Sequence, residues 1–304
     1  MNEIVSNLKE LEIETLRSFN NSKAANTVRA YKSDFSHFEN FCNFYKLSSL
    51  PTTPKIITLY ITNLSKFNRY STIKRRISSI KVIHGYKGYH IDTNHPLIKE
   101  NLIGIKKKIG IFQNSKKPLL INYLFDIINL INDNNVTNSL LKCRDKAVLL
   151  LGFSGGFRRS EIVNILKKDI EFVNEGMKIR IRKSKTDQFG EGQIKGIPFY
   201  KEQKYCPVLA TKEWLQVSDK TDERIFPYSD KLISLIVKKS MKLINLNADL
   251  YSGHSLRSGF ATSTASAGAS ERSIMQMTGH KSTEMVRRYI KEANLFKNNA
   301  LKHL

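Results

Sequence analysis

Cysteine is scarce in this sequence, and long apolar runs are missing. The three cysteines among 304 residues are widely separated, at Cys42, Cys143 and Cys206, which excludes a disulfide framework and a thiolate zinc site. No apolar run reaches the ~18 residues that a membrane span needs. Residues 1–16 carry acidic side chains among the apolar ones and contain no apolar signal core. We therefore expect neither secretion nor membrane insertion, but a cytoplasmic protein.

Acidic residues are few beside basic ones. The chain has 27 Asp and Glu against 50 Lys and Arg, a net charge of +23 and a pI near 9.8. A folded protein this basic is expected to face a polyanion, and nucleic acid is the first candidate. Ribosomal, RNA-binding and membrane-surface proteins carry a similar charge, so the charge by itself does not choose among these classes.

The first third of the chain predicts an all-α domain over residues 1–110, because apolar residues recur there at three- and four-residue spacings. Its helices are predicted at 2–19, from Asn26 and Thr27 onward, at 55–67 with Pro54 in the first turn, after a cap at Ser71 and Thr72, and from Pro96 to Lys108. In the fourth of these, the isoleucines are expected to face inward and the basic residues outward.

A polar, proline-bounded stretch at 111–118 is predicted to link this domain to a second one at 119–304. The predicted elements of the second domain are helices at 119–133 and 139–153, a strand from Met177 to Arg182 in which apolar and basic residues alternate, a returning strand from Ile194 to Phe199, and helices from residue 206 onward. The expected fold class is therefore mainly α, with a small antiparallel β-sheet in the C-terminal domain.

Four segments of the second domain carry polar residues that suit a phosphate site. They are Gly155–Ile162, Lys185 in the turn after the basic strand, Gly253–Phe260, and Gly279–Ile290. His254 and Arg257 stand three residues apart, so on a helix they share a face and can converge on one phosphate. Taken separately, each segment also has an ordinary interpretation: a helix boundary, a solvated charge, a surface pair, or core packing.

Taken together, the order Arg, Lys, His-x-x-Arg, His, Tyr resembles the tyrosine recombinase (phage integrase) family over nearly the whole chain. Gly-Phe-Arg-Arg-Ser-Glu is similar to the family's first-arginine box, Gly-Leu-Arg-x-Ser-Glu, and His-Ser-Leu-Arg to its His-x-x-Arg box. Gly-His-Lys-Ser, with Tyr289 nine residues after His280, resembles its C-terminal box, and residues 26–31, Asn-Thr-Val-Arg-Ala-Tyr, resemble the opening of its core-binding domain. The resemblance implies a Cre/Xer-like architecture, with a SAM-like helical core-binding domain and an α+β catalytic domain of the DNA breaking-rejoining fold.

The resemblance also implies a catalytic set: Arg158, Lys185, His254, Arg257, His280 and Tyr289. Tyr289 would attack phosphorus and form a 3′-phosphotyrosyl link, and the arginines would hold the phosphate oxygens, since a guanidinium stays charged and binds phosphate through two bonds. Lys185 would protonate the departing 5′ oxygen. His254 would take the tyrosine proton or hold a phosphate oxygen, and His280 would donate a hydrogen bond to the phosphate. These roles require neither a metal nor a cofactor.

The choice of Lys185 leaves Lys183 open as the alternative general acid, because the register of the strand decides which side chain faces DNA. The expected partner is double-stranded DNA, held between the two domains. Its backbone phosphates are expected to contact Arg29, Lys74, Arg75, Arg76, Lys81 and Arg287, each of which has a solvated charge as the alternative.

A homotetramer on two DNA sites is expected, with the C-terminal residues Leu295, Phe296 and Leu304 packing on a neighbouring protomer rather than folding back. Bound to DNA, the protein would be associated with the nucleoid, and the need for accessory DNA-bending proteins stays open. The context His-Ser-Leu-Arg-Ser-Gly differs from the His-x-Leu-Arg-His-Thr of chromosome-resolving relatives, which favours an integrase of a mobile element. The alternatives are a chromosome-dimer-resolving recombinase, a type IB topoisomerase or telomere resolvase, and a catalytically idle DNA-binding relative.

Overall fold

The computed structural model of the chain describes residues 25–111, 115–133, 139–182, 192–295 and 301. Its helices are Ala25–Phe44 (α1), Pro54–Leu64 (α2), Tyr70–Tyr86 (α3), Pro96–Ile109 (α4), Ile121–Asp133 (α5), Ser139–Ser154 (α6), Arg159–Val163 (α7), Pro207–Val217 (α8), Asp230–Leu243 (α9), His254–Ser266 (α10), Glu271–Thr278 (α11) and Thr283–Ala293 (α12). The strands are Ile170–Val173 (β1), Gly176–Ile181 (β2) and Gln193–Pro198 (β3). The predicted class, mainly α with a small antiparallel sheet, is confirmed. No helix within the described ranges is long and apolar enough to cross a membrane.

The chain divides into two compact units, residues 1–114 and 115–304, and the predicted linker spans this division. In the first unit, α1 to α4 enclose a core of aromatic and aliphatic side chains that includes Phe38, Tyr60 and Ile80. The predicted start of α2 is confirmed, with Pro54 in its first turn and the Thr53 hydroxyl accepting from the Ile56 amide. The predicted helix 2–19 lies outside the described residues.

Two predicted helix ends in the first unit are wrong. The second helix of this unit ends at Leu64 rather than at Phe67, because the amides of residues 66–68 bond back to the carbonyls of Asn63 and Leu64 in tight turns. These turns lead directly into Arg69, whose backbone is extended, and helical bonding starts there. As a result α3 begins at Tyr70, and the predicted caps Ser71 and Thr72 lie inside its first turn.

The sheet of the second unit has the order β1-β2-β3, with antiparallel pairing throughout. The two predicted strands are present, each displaced by one residue toward the N-terminus, and β1 is an additional strand. In β2, Met177, Ile179 and Ile181 point into the core while Lys178 and Arg180 point outward. This is the predicted alternation of apolar and basic residues.

Two helices form the buried centre of the second unit. Residues 147–151 of α6 are buried all round, and α6 ends at a glycine pair that turns the chain into α7. Against it lies α10, where Gly259 packs on the backbone of Leu119. A Cβ added to Gly259 would lie 1.8 Å from the Leu119 carbonyl oxygen. A glycine is therefore required here, and it lets α10 approach the chain that enters α5.

Candidate active site

Arg158 is the residue that precedes α7, and its position is set by Glu161 one turn later. The buried Glu161 carboxylate accepts from Arg158 Nη1 at 2.6 Å and from the Arg158 backbone amide at 2.9 Å. Arg158 Nη2 donates to the carbonyl of Gly279 at 3.4 Å. The guanidinium is thus held from two sides, and the first-arginine box and the C-terminal box meet at this side chain.

Arg257 lies one helical turn into α10 and is only 1% exposed. Its Nη1 donates to the Gly156 carbonyl at 2.9 Å, whereas its buried Nη2 has no acceptor among the described residues. Burial, followed by repulsion from Arg158, lowers the pKa of Arg257 to about 10. The guanidinium remains charged at neutral pH, and it keeps one hydrogen-bond donor unsatisfied inside the protein.

Lys195 belongs to this site, although it is not among the residues predicted from the sequence. Lys195 is 3% exposed, its Nζ donates to the Gly155 carbonyl at 2.8 Å, and the same nitrogen lies 4.4 Å from the centre of the Phe157 ring. Lys195 and Arg257 therefore hold consecutive carbonyls of the turn that precedes Arg158. A signal was available, since Lys195 and Ile197 share one face of β3 by the two-residue period of a strand.

His254 is the first residue of α10, and its side chain is exposed. Its backbone amide donates to the Ser252 hydroxyl at 3.3 Å. The pKa of the imidazole is lowered, first by the protein atoms that crowd it and then by the charges of Arg257 and Arg158. At neutral pH a histidine in this position is able to accept a proton.

His280 follows the left-handed Gly279 that ends α11. Gly279 has φ 62° and ψ 39°, a conformation that glycine adopts at little cost, and it turns the chain back so that His280 is only 8% exposed. Nδ1 of His280 lies 2.7 Å from the hydroxyl oxygen of Thr278. Burial and then the charges of Arg257 and Arg158 lower the pKa of His280 to about 4, so its ring is neutral at pH 7.

Tyr289 lies on α12 and packs against a small apolar cluster that includes Ala261 of α10 and Val286. Its ring centre is 6.1 Å from that of His280. Burial raises the pKa of Tyr289, and the charges of Arg257 and Arg288 act in the opposite direction. The phenol is therefore protonated at neutral pH and needs a proton acceptor before it can act as a nucleophile.

The structure brings five of the six predicted catalytic residues into one electrostatically coupled group: Arg158, His254, Arg257, His280 and Tyr289. Lys185, with its alternative Lys183, lies outside the described residues. Two further residues interact with this group: Glu161, through its buried carboxylate, and Lys195. With Lys195, the site contains three cations. A site of this composition is suited to bind a phosphate and to move a proton beside it.

The predicted phosphate contacts lie in two kinds of environment. Lys74 and Lys81 are exposed on α3, and Arg29 is exposed on α1, where it donates to Asn26. Arg75 and Arg76 instead pair with the buried carboxylate of Asp34, and Arg76 also donates to the Tyr60 hydroxyl at 3.5 Å. In the second unit, Arg287 is exposed and donates to Glu271 at 3.1 Å.

The sequence was compared with known proteins. The model of the Phage integrase family matches residues 124–295. The chain is 36% identical to the "Integrase/recombinase xerD homolog" of Selenomonas ruminantium, over 99% of this chain and 91% of that protein. It is 26% identical to "Tyrosine recombinase XerC" of Thermodesulfovibrio yellowstonii, over 88% of this chain and 85% of that protein.

Solved structures share the fold. The Tn1549 transposon integrase in complex with transposon right end DNA matches with a TM-score of 0.59 at 18% identity, covering 95% of this chain and 98% of that one. A lambda integrase dimer bound to a COC′ core site matches with a TM-score of 0.58 at 16% identity, covering 92% and 93%.

Proposed function

The chain belongs to the phage integrase family of tyrosine recombinases and is a site-specific DNA recombinase, and we propose that Tyr289 is its nucleophile. In this reaction the Tyr289 Oη bonds to the phosphorus of a DNA phosphodiester while the bond from phosphorus to the 5′ oxygen breaks. The phenol proton passes to a base, and the 5′ oxygen receives a proton from an acid. A 5′ hydroxyl of another strand then attacks the 3′-phosphotyrosyl link, which rejoins DNA without an external energy source.

The observation that carries this proposal is the unsatisfied donor of Arg257. A buried guanidinium nitrogen without an acceptor is costly, yet Nη2 of Arg257 lies in the same charged group as Tyr289. A phosphate oxygen would supply the missing acceptor. Because Nη1 already holds the Gly156 carbonyl, the guanidinium is oriented before DNA arrives, and little reorganisation is left for the reaction.

Arg158 is proposed as the second phosphate ligand. Its contacts with Glu161 and Gly279 fix its position, and it lies near enough to Arg257 to lower the pKa of that guanidinium. Two guanidinium groups suit the charge that develops on the non-bridging oxygens in the transition state. His254 and His280 border the same phosphate position in the proposal. Neither a metal nor a cofactor enters it.

Lys185 is proposed as the general acid for the 5′ oxygen, with Lys183 as the alternative. Lys195 does not suit that role, although it is close to both arginines, because its Nζ is buried and committed to the Gly155 carbonyl. A bridging sulfur in place of the 5′ oxygen distinguishes the two candidates, since a thiolate leaves without being protonated. Lys185→Ala is expected to cleave ordinary DNA slowly and the sulfur-substituted DNA at the wild-type rate. If the sulfur-substituted DNA restores the cleavage rate of Lys183→Ala and not that of Lys185→Ala, Lys183 is the general acid.

Double-stranded DNA is the proposed partner, and a homotetramer on two sites is the proposed assembly. Exchange between two duplexes breaks four strands, and each chain supplies one Tyr289. The C-terminal residues Leu295 and Leu301 are 65% and 73% exposed, which supports docking of this tail on a neighbouring protomer; Phe296 and Leu304 lie outside the described residues. Recombination by the purified protein, with and without a DNA-bending protein, tests the need for an accessory factor.

Integration or excision of a mobile element is the proposed biological role, exercised in the cytoplasm at the nucleoid. Resolution of chromosome dimers is a second candidate, because the curated relatives include proteins named XerC and XerD. The two roles differ in the DNA that becomes joined to Tyr289. Ends from the borders of a mobile element would support the first role, and ends from a chromosomal resolution site would support the second.

The test is covalent trapping on fragmented DNA from the host genome, so that the natural site is included without being known. Wild type, Tyr289→Phe and Tyr228→Phe are incubated with nicked fragments in EDTA, and protein-linked ends are isolated and sequenced. Tyr228 is a matched control, since it is half-buried in the same unit and keeps its ring contact with Arg144 in the variant.

We expect adducts at one defined sequence for wild type and for Tyr228→Phe, and none for Tyr289→Phe. An adduct with Tyr289→Phe would refute the assignment of the nucleophile. The absence of an adduct with wild type would favour the idle DNA-binding relative, and unspecific ends would favour a topoisomerase.

A further inference from the structure

The hydroxyl of Thr278 makes two short polar contacts, one of them with a ring nitrogen of His280. The Thr278 oxygen lies 2.6 Å from the Ile274 carbonyl oxygen and 2.7 Å from His280 Nδ1. A threonine hydroxyl has one proton, and a carbonyl can only accept. The proton therefore points at Ile274, and Thr278 presents a lone pair to His280. For the second short contact to be a hydrogen bond, Nδ1 of His280 must carry the proton.

The surroundings hold this arrangement in place. Thr278 is fully buried in the last turn of α11, and His280 is nearly so, so water does not compete for the two hydrogen bonds. Between them, Gly279 is bonded through its carbonyl to Arg158. The distance between the hydroxyl and the imidazole is thus set by the backbone turn, and the same turn positions the arginine.

Burial, followed by the positive charges that face it, keeps the His280 ring neutral at pH 7. These charges belong to Arg257 on α10, Arg158 before α7 and Lys195 on β3. In a neutral imidazole with its proton on Nδ1, Nε2 has a lone pair and can only accept. His280 can donate to a phosphate oxygen from Nε2 only after that nitrogen has gained a proton.

We propose that Thr278 is a positioning residue that holds His280 in the Nδ1–H tautomer, so that Nε2 enters the reaction as a proton acceptor. The proton that must move is that of the Tyr289 hydroxyl, whose ring neighbours the imidazole. As the tyrosine oxygen bonds to phosphorus, its O–H bond breaks and an N–H bond forms at Nε2. The resulting imidazolium then donates to the phosphate. This inference rests on the proposed role of Tyr289.

The first test is a spectroscopic one that does not depend on activity. Protein labelled with ¹⁵N-histidine reports the protonation of each ring nitrogen, and the His280 signals are identified by their loss in His280→Asn. We expect a protonated Nδ1 and an unprotonated Nε2 in wild type and in Thr278→Ser. Thr278→Val removes the acceptor and is expected to release the ring to the other tautomer. An unprotonated Nδ1 in wild type would overturn the proposal.

The second test measures adduct formation at pH 7 on the trapping substrate. Thr278→Val is expected to form the adduct about tenfold more slowly, the effect of losing one hydrogen bond of ordinary strength, with unchanged DNA affinity. Thr278→Ser is expected to restore the rate. Thr211→Val is the matched control, since Thr211 is a fully buried threonine on α8 whose hydroxyl has no partner among the described residues.

The outcomes separate the two levels of the proposal. A changed tautomer in Thr278→Val with an unchanged rate of adduct formation would refute the positioning role. If Thr278→Val does not fold, the comparison of Thr278→Ser with His280→Asn decides the question. In that comparison, a protonated Nδ1 and full activity in Thr278→Ser support the proposal, and full activity in His280→Asn refutes it. No adduct with wild type would refute the proposed function itself, while the tautomer would still be read from the spectrum.

Discussion

Replacement of Lys195 by methionine is expected to change how the stability of the second unit depends on pH. Burial lowers the pKa of Lys195 from 10.5 to about 8, while the Glu161 carboxylate acts to raise it and the charges of Arg257 and Arg158 act to lower it. Between these two pKa values the unfolded chain binds the proton and the folded chain releases it. The free energy of unfolding therefore rises with pH across this window.

The magnitude follows from the size of the shift. Below pH 8 the buried ammonium costs about 3 kcal/mol of stability, because one pKa unit corresponds to about 1.4 kcal/mol. From pH 7 to pH 9 the wild type should regain about 1 kcal/mol, and by pH 10 about 2 kcal/mol. Lys195→Met lacks this gain. At pH 7 the variant is stabilised because it no longer buries a charged ammonium. It also leaves the Gly155 carbonyl without its donor, which cancels about 1–3 kcal/mol of that stabilisation.

The assay is urea unfolding followed by the fluorescence of Trp214. Trp214 is the only tryptophan of the chain and is buried in α8, so it reports on the unit that contains Lys195. Lys178→Met is the control, because Lys178 lies on the neighbouring strand β2 with half its side chain exposed. The difference between wild type and Lys195→Met should grow in favour of wild type as the pH rises. Parallel pH curves for these two proteins would refute the reasoning.

Three further outcomes are expected. Arg257→Lys should lower the rate of adduct formation by about 10²- to 10³-fold in single-turnover trapping, because one ammonium cannot serve both the Gly156 carbonyl and a phosphate; a rate within threefold of wild type would contradict this. Gly259→Ala should lower the free energy of unfolding by about 3 kcal/mol in the Trp214 assay, since its methyl group would overlap the Leu119 carbonyl. An unchanged midpoint of the urea transition would show that α10 can shift to make room. Lys74→Gln should reduce by about 1 the slope of log affinity for DNA against log salt concentration. Arg76→Gln should instead lower the free energy of unfolding, because it removes the ion pair with Asp34. An equal change of the salt slope in both variants would show that Arg76 also contacts DNA.

The fold could be predicted from the sequence wherever the periodicity of apolar residues was long. The alternation of β2 over six residues and the isoleucines of α3 identified their elements and their inner faces. Strand β1 could not be found this way, because Ile170–Val173 spans four residues and its two central side chains, Glu171 and Phe172, are both exposed. Helix ends were missed where turns rather than capping side chains set them, as at Arg69.

The five candidate residues that the structure brings together could be selected from their order along the chain, but their hydrogen bonds could not be predicted from it. Arg75 and Arg76 lie in a basic run that suits DNA, and only the fold shows that Asp34, 41 residues before Arg75, reaches both. Ile194 and Lys195 lie on opposite faces of β3, and an apolar side chain is usually the one that is buried, yet Ile194 is 68% exposed and Lys195 only 3%. The register of the strand places this ammonium inside the protein, where burial and then one carboxylate and two guanidinium groups set its pKa.

The packing of Leu119 against α10 limits where the protein can be shortened. The amide of Leu119 donates to the Ser255 carbonyl at 2.9 Å, and that of Lys117 donates to the Leu250 carbonyl at 2.8 Å, one on each side of the turn into α10. A fragment that began with α5 at Ile121 would keep the described helices of the second unit but would lack residues 115–120. It would uncover Gly259 and remove a donor from the first turn of the helix that carries His254 and Arg257. An excised second unit should therefore begin no later than Lys116, since a cut placed at the start of α5 would also disturb the proposed phosphate site.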